Sequence, residues 1–178
     1  TLHNPILLGK KKTTDIQFYK EAGVQADDLD QRRRGNDYEE YELELKERKA
    51  RDRINEEVNR FCEQVDEISK LQFDIPYRDL VFTGVPFKSN VNLLPTVNCL
   101  VSVVEMPFFV TALEDVEIVH FERVTHANKN FDMVFVFKDL NKPAQRLTAI
   151  PIENLEMIKN WLDGVDILFS EGPISLNW

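Results

Sequence analysis

Cysteine is scarce in this chain: Cys62 and Cys99 stand in unrelated contexts, with no Cys-x-x-Cys spacing. That argues against both a disulfide framework and a thiolate zinc site, and it fits a reducing compartment. Histidine is scarce too, with only His3, His120 and His126. His120 and His126 could meet across a turn near Glu122, but they lack a third ligand, so no metal is expected. No apolar run approaches the ~18 residues of a membrane-spanning helix, so no membrane partner is expected. Thr1 is not a natural start and no signal peptide precedes it, so the chain reads as a piece of a longer protein.

Glycine-dependent motifs are missing as well. "GKKKT" at 9–13 resembles a phosphate loop, but that loop needs Gly and Ser or Thr where Asn4 and Lys11 stand. "DDLDQRRRGN" opens like a calcium loop, but Arg33 occupies the position of the sharp glycine turn. No Ser or Cys sits on a glycine-flanked elbow. No catalytic residue, cofactor or enzymatic activity is therefore expected. Basic residues are outnumbered, 22 Lys and Arg against 31 Asp and Glu, giving a net charge of −9. An acidic chain is a poor primary binder of nucleic acid and suits a basic partner.

Against these absences the chain divides into zones. Residues 1–24 hold two short apolar runs around Lys10, Lys11 and Lys12, and the pattern predicts a hairpin or two strands. Residues 25–36 are polar and aperiodic, a loop containing Arg32, Arg33 and Arg34. Residues 37–70 lack Gly and Pro. Ile54, Val58, Phe61, Val65 and Ile68 form one stripe there, which predicts a long charged linker helix whose second half packs on something. From residue 71, short Val-, Phe- and Thr-rich runs separated by turn residues predict six or seven antiparallel strands. "IENLEMIKNWLDG" then switches to helical period. Leu155, Ile158 and Leu162 make its stripe, Trp161 lies at the edge, and Gly164 is placed for a left-handed cap. The fold class is mainly β with α: a small barrel whose open mouth is covered by a C-terminal helix, a pleckstrin-homology-like layout.

"KNFDMVFVFKD" (129–139) places Phe131, Met133, Phe135 and Phe137 on one face, the barrel core. Val134 and Val136 would form an outer surface covered by the helix or a partner. Asp132 reads as the strand's polar entry, pairing with an amide, Lys129 or Arg123. Carboxylates crowd residues 105–122, where Glu105, Glu114, Asp115, Glu117 and Glu122 are opposed only by Arg123. With Met106 and Pro107 in a turn, they would make an acidic rim with apolar groups, suited to a basic protein. Lys10, Lys11 and Lys12 are second-choice contacts.

Several longer stretches carry a resemblance: "GKKKTTDIQFYKE" (9–21), "RDLVFTGVPFKSN" (78–90), "EIVHFERV" (117–124), "KNFDMVFVFKD", "IPIENL" with "WLDGVDI" (150–167) and "SLNW" (175–178). In this order they closely resemble the middle domain of the large subunit of FACT, a nucleosome-reorganising histone chaperone. The resemblance implies tandem pleckstrin-homology-like modules. Residues 1–24 would close a first module, 37–70 would connect and brace, and 71–178 would be the second module. It implies core histones as partners, the small FACT subunit through a domain outside this stretch, nucleosomal DNA indirectly, and a nuclear, chromosomal location. Thr125, His126, Ala127 and Asn128 depart from the Gln-Phe-led stretch the family often carries. The rival readings are a phosphoinositide module, for which only Arg78 and Lys88 offer cations, and a protein scaffold.

Overall fold

The structure, a computed structural model, describes residues 4–13, 16–18, 37–70, 73–104 and 106–178. It divides into two compact units, Thr1–Phe73 and Asp74–Trp178. The expected loop at 25–36, with Arg32–Arg34, and His3 lie outside the described residues.

In the first unit β1 (Ile6–Leu8) pairs antiparallel with β2 (Lys11–Thr13), Leu8 opposite Lys11. The two-residue connection starts with Gly9 at φ 65, a left-handed conformation that glycine adopts without a Cβ penalty. Of the basic triplet, only Lys10 is in the turn. Helix α1 runs unbroken over Asp37–Ser69, as a sequence without Gly or Pro permits. Its apolar stripe is less buried than its spacing predicts. Ile54 and Val65 are half-buried, but Val58, Phe61 and Ile68 are exposed. The stripe carries a single apolar row, narrower than a core-facing helix normally presents. Phe61 does find an aromatic neighbour, Phe18, at 5.7 Å between ring centroids.

The second unit holds two four-stranded sheets. β3 (Phe82–Gly84), β4 (Val91–Pro95), β5 (Cys99–Ser102) and β6 (Phe109–Ala112) pair antiparallel in chain order. β7 (Val116–Glu122), β8 (Asn130–Phe137) and β9 (Gln145–Pro151) make the second sheet. After helix α2 (Leu155–Gly164), β10 (Phe169–Glu171) joins that sheet parallel to β7. The sequence predicts six or seven strands, all antiparallel. The additional strand is too short to carry a period-2 pattern, and its pairing is set by the crossover through α2.

The sheets meet where Val85 and Thr148 exchange two backbone hydrogen bonds, of 2.8 and 3.0 Å. Gly84 makes this corner possible: a Cβ there would sit 3.0 Å from Leu93 Cδ1 and 3.3 Å from Ile150 Cγ1. Phe131, Met133, Phe135 and Phe137 all face the core, with Leu93, Leu100, Phe109, Val119, Phe121, Leu147 and Ile150. Helix α2 closes the barrel with Leu155, Ile158, Trp161 and Leu162 buried. Full burial of each stabilises the fold by about 2 kcal/mol. Trp161 Nε1 also donates to the Thr96 carbonyl at 2.9 Å, fastening the helix to the β4–β5 turn. This is the pleckstrin-homology-like layout that the sequence predicts.

The α2 terminus differs from expectation. Gly164 is the last helical residue, and the left-handed position falls on Asp166 at φ 56. The Ile167 amide donates to Leu162 O and the Asp166 amide to Asp163 O, a Schellman closure. Aspartate tolerates that conformation better than most side chains, so glycine is not required there.

Asp132 is buried on the outer face of β8 and accepts from Arg123 Nη2 at 2.6 Å and from the Ala149 amide at 3.0 Å. Arg123 and Ala149 both hold positive φ, 60 and 58. By strand alternation residue 123 would point to the core, and the left-handed turn brings its guanidinium round to Asp132 instead. Ala149 sits in the register shift between Phe131 and Met133. Replacing Asp132 with Ala is expected to cost about 2 kcal/mol, because a charge-assisted bond and a bulge amide lose their acceptor together. Ala149→Gly is expected to gain about 0.5 kcal/mol through relief of the left-handed strain. Both are read from denaturant midpoints.

Candidate functional site

The acidic stretch does not form one rim. Glu105 lies outside the described residues. Met106 and Pro107 occupy the β5–β6 turn, at one end of β6, and Met106 is exposed. Glu114 and Asp115 occupy the turn after the other end of β6, and Glu117 points outward from β7. The four-residue strand Phe109–Ala112 separates the two places by about 13 Å of extended chain. The second place is not purely acidic. Lys142 Nζ lies 3.2 Å from Asp115 Oδ2 and 3.9 Å from the centre of the Phe137 ring. Lys138 Nζ donates to the Glu114 carbonyl at 2.8 Å. These lysines lie beyond residue 123, so a count over 105–122 misses them.

Beside Met106 and Pro107 opens an apolar cleft of about 410 Å³, bounded by the β3–β4 and β5–β6 turns. Phe87, Val91 and Phe109 line it with Met106 and Pro107, and Lys88 is the cation among its lining residues. Phe87 packs edge-on against Phe109 with centroids 6.3 Å apart, yet about half of it stays exposed. Nothing in the spacing of Phe87 marks it as surface. Its exposure comes from the turn that carries it.

Glu122 requires a correction. The sequence places it with the accessible carboxylates, but it is completely buried. Alternation puts Val119 and Phe121 in the core and His120 and Glu122 on the opposite face of β7. There the C-terminal residues after Gly172 cross the sheet. Ser175 Oγ donates to Glu122 Oε2 at 2.7 Å, the Leu176 amide to Oε1 at 2.7 Å, and Trp178 Nε1 to Oε1 at 2.8 Å. Arg146 Nη2 lies 3.1 Å from Oε2 and donates to the Leu176 carbonyl at 3.1 Å. The Trp178 ring lies 5.6 Å from that of His120, whose Nδ1 is 2.7 Å from Ser170 Oγ. "SLNW" alone gives no sign of this docking, because the partner carboxylate is more than fifty residues away in sequence.

Lys10 and Lys12 are exposed on the β1–β2 hairpin, which belongs to the other unit. Among the described residues no group of His, Cys, Asp and Glu could hold a metal ion, and no helix is long and apolar enough to cross a membrane. Both cysteines are free thiols, and burial pushes the Cys99 thiol up.

Burial alone would raise the Glu122 carboxyl. The bonds from Ser175, Leu176 and Trp178 and the charge of Arg146 outweigh it, so its pKa lies below the ordinary 4.5. A carboxyl held low in the folded state stabilises it above the unfolded value and ceases to do so as pH falls through the folded value. Docking of residues 175–178 is therefore expected to hold at neutral pH and to fail on acidification below 4.5. In Glu122→Gln the docking is expected to be weaker at pH 7 and to lack the acid step. Proteolytic susceptibility of this segment as a function of pH checks both.

Comparison with known proteins bears on this geometry. The model of the histone chaperone Rttp106-like middle domain matches residues 83–171, and that of the FACT complex subunit SPT16 PH-like domain matches residues 1–65. FACT complex subunit spt16 of Aspergillus oryzae is 47% identical over 99% of this chain and 18% of its own length. The Caenorhabditis elegans subunit is 45% identical over 99% of this chain and 17% of its own. The chain thus spans under a fifth of the length of these relatives. A solved chain of the Spt16D Pob3N heterodimer is a looser likeness, with TM-score 0.39 and 16% identity over 60% of this chain and 57% of its own. The chain belongs to the histone chaperone Rttp106-like middle-domain family, in the form carried by the SPT16 subunit of the FACT complex.

Proposed function

We propose that this chain is a histone-binding module of a nucleosome-reorganising chaperone that acts during transcription, replication and repair in the nucleus. The observation that carries this reading is the 47% identity to a FACT subunit over 99% of the chain. The module covers histone surfaces that DNA would otherwise hold, so nucleosomes open and re-form with their histones retained. Binding energy alone drives this, without ATP hydrolysis or covalent chemistry. Nucleosomal DNA is engaged indirectly, and the small FACT subunit joins through another part of the protein. Residues 1–24 close a first pleckstrin-homology-like module, α1 links it onward, and residues 71–178 form the second.

Two surfaces of the second unit suit a basic partner with apolar side chains. The turn with Glu114, Asp115 and Glu117 supplies charge that steers encounter. The cleft with Phe87, Met106 and Pro107 supplies apolar area that holds the complex. Glu105 precedes Met106 and Pro107 in sequence, and Lys10, Lys11 and Lys12 are secondary contacts toward DNA or acidic histone surface. Glu122 takes no part, because the chain's own residues consume its acceptors. A phosphoinositide headgroup would meet only Lys88 among the residues lining the cleft, so that reading is disfavoured.

Titration of purified core-histone tetramers and dimers at low and high salt tests this. Glu114→Lys with Asp115→Lys is expected to weaken binding about tenfold (~1.4 kcal/mol) at low salt and little at high salt, as screening predicts. Phe87→Ser is expected to weaken it at both. Unchanged affinity in both variants would reject these surfaces. Stronger capture by anionic liposomes than by histones would reject the histone reading itself.

A further inference from the structure

Residues 173–178 are in neither helix nor strand, yet Ser175, Leu176 and Trp178 converge on one carboxylate. We propose that this segment is a displaceable strap over the outer face of β7–β9, and that phosphorylation of Ser175 releases it. Everything gathers on Glu122. The carboxylate has no exposure, so each contact depends on its charge and on the donors facing it. Ser175 supplies one donor through its hydroxyl, while the residue itself lies exposed at the surface.

The chemistry of the modification reverses that contact. A kinase transfers the γ-phosphoryl group of ATP to Ser175 Oγ. The Oγ–P bond forms, the bond to the ADP leaving oxygen breaks, and the hydroxyl proton passes to the kinase's catalytic carboxylate. That proton is the one now donated to Glu122 Oε2. A donor is thus replaced by a group of nearly two negative charges beside a buried carboxylate, and like-charge repulsion of this kind is disruptive. The Leu176 amide and Trp178 indole follow Ser175 within three residues, so they leave with it. Arg146 is the competing influence. It touches both Glu122 and the Leu176 carbonyl, and its guanidinium is within reach of a phosphate there. Holding both groups at once would place a phosphate dianion against a carboxylate that has no water to screen it. Release bares His120 and Glu122 on this face.

The test uses the full 178-residue chain with phosphoserine incorporated at position 175, followed by the proton–nitrogen NMR resonances of the two indole N–H groups. The Trp178 resonance is expected to move to the free-indole position, with Trp161 unchanged as the internal control for folding. Ser175→Ala is expected to keep Trp178 docked, since it removes one donor without adding charge. A docked Trp178 in the phosphorylated chain, whether unshifted or held through Arg146, overturns the proposal. Release in Ser175→Ala also overturns it, because loss of the hydroxyl would then suffice.

Discussion

Glu122 and Asp132 stand directly opposite each other on β7 and β8, both buried and both on the outer face. Two carboxylates in that relation repel, and neither has water to screen it. The surrounding structure resolves the conflict by giving each its own arginine and its own amide. Asp132 takes Arg123 and the Ala149 amide. Glu122 takes Arg146 and the Leu176 amide. The left-handed turn at Arg123, the bulge at Ala149 and the course of the C-terminal segment can all be read as consequences of this one pair.

The opposite face of the same strands is ordinary by comparison. It is apolar, continuous and closed by one helix, and it positions the turns at both ends of β6. The surfaces proposed for partner binding are borne by those turns, the β3–β4 turn and the start of β7. The chemistry of the unit is therefore layered. Its core specifies the fold, its outer sheet face holds charges in fixed pairs, and its turns present groups to the surroundings.

Much of this is legible in the sequence, for reasons particular residues make plain. Phe131, Met133, Phe135 and Phe137 announce their strand because alternation is local. Leu155, Ile158, Trp161 and Leu162 announce their helix because its period is local too. Asp132 pairs with an amide and with Arg123, as its sequence suggests, since its candidates lie within a few residues or across one strand. Glu122 is different. Its burial is decided by residues 175–178 and by Arg146, and no window of sequence contains all of them. The acidic count over 105–122 fails to describe a surface for a similar reason, because Lys138 and Lys142 reach it from the turn after β8. Gly164 has the composition of a cap, but the Schellman closure runs two residues further, onto an aspartate.

Helix α1 gives the net charge an address. Its 33 residues hold twelve acidic and six basic side chains, so six of the nine excess negative charges reside there. They are also segregated. Acids crowd the first two turns, where the helix dipole favours them, and most of the basic residues follow between Lys46 and Arg53. At about 1.5 Å per residue the rod is some 50 Å long, roughly six Debye lengths at physiological ionic strength. The basic stretch begins where the acid-rich start ends, with centres about 14 Å apart, under two Debye lengths, so the ends of the rod, not these neighbours, are electrically separate. A partner at one end of the rod is screened from the charges at the other end and senses local charge, not the net charge of the chain.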